Sequence, residues 1–225
     1  MRSSSRYIAS GLFLFVLFIF FSYLVDTNFF KQLDFDITVR LQDNISRRFD
    51  DIFSWLSVVG MFEITAIVLF MILVIKRSII GGGITFFLFV LFHFIEIFGK
   101  ATVENIPPPE FLLRTKRLIE FPQFHVRSEY SYPSGHSGRT VFISILIILF
   151  IWNNTKFPFI LKLISISGIL VFNLFMLVSR VYLGEHWVTD VIGGATLGAS
   201  FALFSVYVYF LKKPVKHSVK RLPKT

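Results

Sequence analysis

The sequence predicts an all-α, polytopic membrane protein: six transmembrane helices in a bundle, with an interfacial amphipathic helix between spans 1 and 2. Three observations carry this. Of 225 residues, 54% are hydrophobic, 30 are Phe and only 16% are charged, against about 25% charged in an ordinary soluble domain. The apolar residues gather in long runs rather than alternating with polar ones. Several of these runs reach the ~20 residues that a helix needs to cross ~30 Å of hydrocarbon. The chain has no Cys, which excludes a disulfide scaffold, a thiolate nucleophile, a Cys-ligated zinc and a redox pair.

The first run lies between Arg6 and Asp26. Its basic start fits a signal peptide, but the apolar stretch is too long for an h-region and no small-residue cleavage site follows Tyr23-Leu24-Val25, so it reads as a retained span. In 26–51, Leu33, Ile37, Leu41 and Ile45 recur every four residues, with Asp34, Asp36, Arg40, Asp43 and Arg47 between them. That spacing makes an amphipathic helix lying in the interface. The second span is expected between Asp51 and Lys76, and the third between Arg77 and Lys100, the latter rich in glycine at Gly81, Gly82 and Gly83. The fourth starts near Ser134 and ends around Trp152, the fifth fills Lys162 to Arg180, and the sixth runs from about Val188 to Leu211. The longest hydrophilic stretch, 99–133, centres on Pro107-Pro108-Pro109, and long loops in compact proteins tend to be functional or disordered. With no internal repeat and no soluble segment of domain size, the whole of 1–225 reads as one membrane domain.

Charge bias predicts the topology, because short cytoplasmic loops carry excess Lys and Arg. Arg2, Arg6, Lys76, Arg77, Lys156, Lys162 and the tail from Lys212 to Thr225 fall on one side with no acid among them. Both termini are therefore expected in the cytoplasm, with 26–51, 99–133 and 180–187 outward. The net charge of +9 reads mainly as a positive-inside anchor, with anionic lipid headgroups a secondary partner. No basic stretch is interleaved with aromatics away from the membrane flanks, so nucleic acid is not an expected partner.

Polar residues concentrate at two expected span starts: Tyr132-Pro133-Ser134-Gly135-His136-Ser137, and Ser179-Arg180 through Glu185-His186-Trp187-Val188-Thr189-Asp190. A Pro-Ser-Gly helix start leaves several backbone N–H groups unpartnered at the positive end of the helix dipole, a ready site for phosphate. His136 falls in that first turn. His186 and Asp190 are four apart and share a helical face. A carboxylate there can accept the Nδ1 proton of the imidazole, leave Nε2 free to attack and stabilise the resulting positive ring. Arg180 adds a bidentate donor matched to phosphate oxygens. Each feature also has a plain reading: Ser-Gly as a simple cap, His–Asp as a local hydrogen bond. Two His, an Asp and an Arg at span ends on one side of a membrane weaken that plain account.

Lys100, Pro-Ser-Gly-His at 133–136 and Ser-Arg-x5-His-x3-Asp across 179–190 together resemble the type 2 phosphatidic acid phosphatase superfamily, the membrane lipid phosphate phosphatases. The likeness covers roughly 50–210. It implies that His186 is a nucleophile forming a phosphohistidine, oriented by Asp190, and that His136 protonates the leaving oxygen and later activates water. It further implies that Lys100, Ser134, Gly135 and Arg180 cradle the phosphoryl oxygens, with no metal or other cofactor required. One departure stands out. The family's first motif is Lys-x6-Arg-Pro, but the seventh residue after Lys100 is Pro107, followed by Pro108. Arg114, beyond the proline turn, is the candidate replacement; Arg139, one turn past His136, is the rival, with Arg117 and Arg127 behind, and each also reads as a solvated charge.

Ionisable residues inside spans are functional candidates by default. His93, Glu96 and Lys100 form one stripe, in which Glu96 is either a partner that positions Lys100 or a packing contact. Glu63 has no evident partner in the sequence. Gly194-x3-Gly198 reads as close helix packing. The resulting expectation is an enzyme of the outer face of the cytoplasmic membrane that hydrolyses a lipid phosphate monoester or pyrophosphate. By resemblance its substrate is of the undecaprenyl pyrophosphate, phosphatidylglycerol phosphate or phosphatidic acid type. The alternatives are a lipid-linked phosphotransferase using the same site, or a transporter of anions or lipids. Transporters usually show repeats and paired broken spans near mid-membrane, and neither is apparent in the sequence.

Overall fold

A computed structural model describes residues 2–76, 79–115 and 129–211. Arg77, Arg117, Arg127 and the basic tail 212–225 lie outside the described residues. Among those described, eight α-helices and no strand are present: α1 Arg2–Asp26, α2 Lys31–Asn44, α3 Asp50–Val59, α4 Phe62–Lys76, α5 Ile79–Thr102, α6 Gly135–Trp152, α7 Phe159–Tyr182 and α8 Val188–Leu211. Five helices are long and apolar enough to cross a membrane, and α3 with α4 supplies a sixth if the bent pair counts as one span. The expected all-α, six-span layout with a helix between the first two spans is what the chain forms.

The bundle is organised around α8, which packs on α1, α5 and α6, while α7 packs on α3 and α6. Leu197, Phe201, Ala202 and Val206 of α8 meet Phe18, Phe92, Phe142 and Leu146 in the core. Many other phenylalanines point outward, among them Phe13, Phe20, Phe70, Phe87 and Phe159, the inverse of a soluble surface and the one a lipid solvent favours. The Gly194-x3-Gly198 stripe works as expected. A Cβ at Gly194 would overlap the Ser134 carbonyl oxygen, and one at Gly198 the Gly138 carbonyl oxygen. Backbone-to-backbone approach of α6 and α8 therefore requires glycine at both places.

Two expectations need correction. The second span is not one helix: α3 and α4 meet at a 50° bend. The break falls at Gly60 and Met61, whose N–H groups donate to Ser57 O and Val58 O at 3.1 Å each, closing tight turns instead of continuing the α-ladder. A Cβ at Gly60 would collide with the Met176 methyl and press on the His136 ring, so the break seats glycine directly against the imidazole. The second correction concerns α2. Its buried face is the polar stripe Asp34, Thr38 and Gln42, while Leu33 and Phe35 are exposed. The reason is capping. Asp34 accepts from Thr189 N at 3.0 Å and from Thr189 Oγ1 at 2.6 Å, so α2 supplies the side-chain cap that satisfies donors in the first turn of α8. Gln42 Nε2 donates to Leu112 O at 2.7 Å and Tyr182 O at 2.8 Å. With its polar edge turned to the protein and Leu41 packed against Phe53, Tyr182 and Leu183, α2 ties the 103–115 segment, the end of α7 and the start of α8 together at one end of the bundle.

The α6–α8 stripe generates a stability prediction. Gly198→Ala should lower thermal stability in detergent by about 1–3 kcal/mol, the range for overpacking. Gly83→Ala should be neutral, since nothing lies within 4 Å of the added methyl. A thermal-unfolding comparison of the two variants checks this.

Candidate active site

The three segments α2, 103–115 and 183–190 converge at one end of the bundle, over the start of α6. Asp190 is at the centre and fully buried. Its Oδ2 accepts from His186 Nδ1 at 3.2 Å and from Trp187 N at 3.0 Å, while Oδ1 accepts from Asn105 Nδ2 at 2.8 Å. Its backbone carbonyl accepts from Ser134 N at 2.9 Å, tying the starts of α6 and α8 together. His186 is in the turn just before α8, and its side chain is 12% exposed. With Nδ1–H committed to a carboxylate, Nε2 keeps its lone pair.

Ser134 is the N-terminal cap residue of α6 and Gly135 its first helical residue. Both are buried, whereas His136 is half exposed. Ser134 Oγ accepts from Ser137 Oγ at 3.0 Å. Arg180, near the end of α7, is 1% exposed. It forms an ion pair with Glu185 and donates to Ser57 Oγ, and Glu185 also accepts from Thr115 Oγ1 at 2.5 Å. Gly184 makes this turn possible: its φ of 69° is in the left-handed region that glycine adopts without penalty, and the Leu112 carbonyl packs against its missing Cβ. Lys100, in the last turn of α5, pairs with Glu96 at 3.2 Å. His186, Arg180, Arg139 and Lys100 all lie near enough to bear electrostatically on His136. The structure thus brings His136, His186, Asp190, Lys100, Ser134, Gly135 and Arg180 into one cluster.

Arg114 takes a different place. Its Nη1 donates to Ile45 O at 3.3 Å and its guanidinium lies 5.1 Å from the centre of the Tyr182 ring, so it braces α2 and the 103–115 segment against α7. The guanidinium that reaches an imidazole is Arg139's, whose Nη2 is 3.4 Å from His136 Nδ1. Glu96 bridges this arginine, at 3.3 Å, to Lys100. Glu63 acquires a setting as well, since it lies near enough to act on the charge of Arg139. Asn105 and Ser57 carry no sequence signal, being single polar residues in a loop and on a helix; only three-dimensional proximity reveals them.

The PAP2 superfamily model matches residues 78–214, well over half of the chain. The chain belongs to the PAP2 superfamily. Among curated relatives, it is 31% identical over 129 residues to phosphatidylglycerophosphatase B of Bacillus subtilis, covering 56% of this chain and 57% of that protein. It is 30% identical over 138 residues to undecaprenyl-diphosphatase of Sulfolobus acidocaldarius, covering 61% and 60%. A shorter match, 33% over 92 residues, links it to human sphingosine-1-phosphate phosphatase 2, covering 41% of this chain and 20% of that one. Against the first two, the aligned part spans about three-fifths of the relative's length. In fold, this PAP2 chain is similar to the crystal structure of a transmembrane PAP2-type phosphatidylglycerolphosphate phosphatase from Bacillus subtilis. The TM-score is 0.71 at 23% identity, covering 92% of this chain and 98% of the other.

Burial holds the His186 imidazole below its ordinary value of 6.5; the hydrogen bond and charge of Asp190 oppose this, and Arg180 and Lys100 reinforce it. A neutral ring with a free Nε2 lone pair is therefore the resting form at neutral pH. Titration of ring-labelled histidine by NMR in micelles should place its midpoint below 6.5. Asp190→Asn should lower it further and Arg180→Gln should raise it. A midpoint above 6.5 would show that the carboxylate outweighs burial.

Proposed function

We propose that this chain is an integral-membrane lipid phosphate phosphatase, hydrolysing a phosphate monoester or pyrophosphate of a membrane lipid through a phosphohistidine at His186. The observation that carries the reading is His186 itself: an imidazole whose Nδ1 is held by the buried carboxylate of Asp190, leaving Nε2 for the substrate, in a cluster with a second imidazole, His136, and the cations Arg180 and Lys100. Activation of a nucleophile by an orienting base partner is the general logic of covalent catalysis. As phosphorus bonds to Nε2, the ring becomes positive and Asp190 stabilises it.

Phosphoryl transfer needs positioning and charge neutralisation more than covalent assistance. Lys100, Arg180 and the backbone amides at the start of α6 supply donors toward the phosphoryl oxygens without a metal, and His136 attends the leaving oxygen. Catalysis at the mouth of a helix bundle lets the acyl or prenyl chain stay in lipid while the headgroup reacts, so no energy is spent extracting it. The relatives' names, as phosphatases of phosphatidylglycerophosphate, undecaprenyl diphosphate and sphingosine 1-phosphate, support a lipid phosphate as substrate. The acid-free, basic stretches of the sequence around Arg2, Arg6, Lys76, Lys156 and Lys162 support cytoplasmic termini and an outward-facing site in the cytoplasmic membrane.

Purified protein should release inorganic phosphate from phosphatidic acid, phosphatidylglycerol phosphate or undecaprenyl pyrophosphate in detergent with EDTA present. His186→Ala should abolish release, and Asp190→Asn should reduce it by about 10–100-fold, the usual cost of losing an orienting partner. Undiminished turnover by His186→Ala would overturn the reading. Topology is checked separately. The chain has no Cys, so Glu110→Cys, at an exposed position, should react with a membrane-impermeant thiol reagent applied to intact cells; labelling only after lysis would reverse the orientation.

A further inference from the structure

Arg180 is the cation of the cluster with the least access to water. Its side chain is 1% exposed, and its charge bears on both His136 and His186. Burying a guanidinium is costly unless an opposite charge and acceptors surround it. Ser57 Oγ on α3 accepts from Nη1, and the carboxylate of Glu185 pairs with Nη2. The nearby charge of Arg139 adds to the demand for an anion.

That pairing is incomplete. Nε–H and one Nη2–H of a guanidinium point the same way along one edge, a fork that two oxygens of a carboxylate or a phosphate fill together. Glu185 fills half of it. Its Oε2 is on Nη2, but its Oε1 accepts from Thr115 Oγ1 at 2.5 Å. The buried Nε of Arg180 has no acceptor among the described residues. A buried donor left unpaired is the kind of defect that a ligand oxygen repairs.

The two partners also differ in freedom. Arg180 is on a helix and enclosed, whereas the Glu185 side chain is 21% exposed in the turn before α8. The backbone of that turn is held, since the N–H groups of Glu185 and His186 both donate to Arg180 O, at 3.2 and 3.3 Å. Only the carboxylate can swing, and Thr115 anchors it when it leaves the guanidinium. A phosphoryl group bound for His186 and cradled by Arg180 must therefore displace that carboxylate.

We propose that Glu185 is an exchangeable occupant of the phosphoryl site: it covers Arg180 while the site is empty, yields the guanidinium to the phosphoryl group, and retakes it as inorganic phosphate leaves. The inference rests on the reading of Arg180 as a phosphoryl ligand. Phosphate displaces the carboxylate by using the whole fork, Nε included, where the carboxylate uses half. Glu185 in turn spares the site from leaving a bare buried cation when phosphate departs, a state that would otherwise hold the product tightly. No bond to phosphorus forms or breaks in the exchange.

Equilibrium dialysis of radiolabelled inorganic phosphate against the purified chain in detergent tests this. Glu185→Gln keeps the size of the side chain and its bond to Thr115 but removes the competing charge. Phosphate should then bind about 10-fold tighter, the scale of one hydrogen bond to a charged group. A Glu185 that served only to orient Arg180 would give the opposite sign, so unchanged or weaker binding by Glu185→Gln overturns the proposal. Should that variant not fold, a crystal structure of the wild type with vanadate decides. Vanadate oxygens on Nε and Nη2, with the Glu185 carboxylate turned away to Thr115, support the exchange; a carboxylate still paired with Arg180 overturns it. Arg180→Gln separates the two levels of inference. If it binds phosphate as well as wild type does, the phosphoryl role of Arg180 fails and the exchange with it. If it loses phosphate while Glu185→Gln gains nothing, the exchange alone fails.

Discussion

The buried carboxylate of Asp190 is the contact on which the rest of the site depends. Its two oxygens receive donors from a loop far away in sequence, from the turn before α8 and from His186, and its backbone carbonyl receives the first amide of the Ser134 cap. A carboxylate without water is costly unless every lone pair is used. Here the partners that offset that cost also align the nucleophile candidate, the loop after α5 and the N-terminus of α6. Asp34 repeats the pattern one residue away by capping Thr189 from α2. Fold and site share the same few acceptors at this end of the bundle.

The charged interior obeys the same economy. Glu96 is 6% exposed and is matched by Lys100 and Arg139; Arg180 is matched by Glu185 and Ser57. A broken helix inside a membrane leaves backbone carbonyls without partners, which is tolerated only where protein re-satisfies them. The α3–α4 break is such a place, and the guanidinium of Arg139 takes the freed Gly60 carbonyl. The bend and the buried arginine thus explain each other.

Much of this was readable in the sequence because two of its signals are strong. Apolar run length defines spans without reference to tertiary contacts, and the Pro-Ser-Gly-His and Ser-Arg-x5-His-x3-Asp spacings place side chains on helix ends whatever the packing. What was not readable depended on pairing between distant segments. The periodicity of Leu33, Ile37, Leu41 and Ile45 correctly predicts a helix, but which face is buried was decided by the donors of Thr189 and the carbonyls of Leu112 and Tyr182. The α3–α4 break carries only one glycine as a signal, in a run otherwise apolar enough to be continuous. Proximity in sequence to the proline turn favoured Arg114, yet an aromatic ring and the Ile45 carbonyl claimed its guanidinium, while Arg139 entered the cluster because one helical turn separates it from His136.

The relative placement of the two imidazoles is therefore a packing outcome as much as a chemical one. His136 rides on α6 and His186 on the turn feeding α8, and these helices touch backbone to backbone at Gly194 against Ser134 and Gly198 against Gly138. Contacts of that kind have no rotamers with which to absorb a shift; a displacement of one helix passes undamped to both rings. The lipid-facing phenylalanines of α1 and α7 stand in the opposite situation, against a fluid solvent that tolerates exchange. Sequence freedom should accordingly differ sharply between the two faces of one helix: wide where it meets lipid, narrow along the glycine stripe, even though the stripe itself bears no reactive atom.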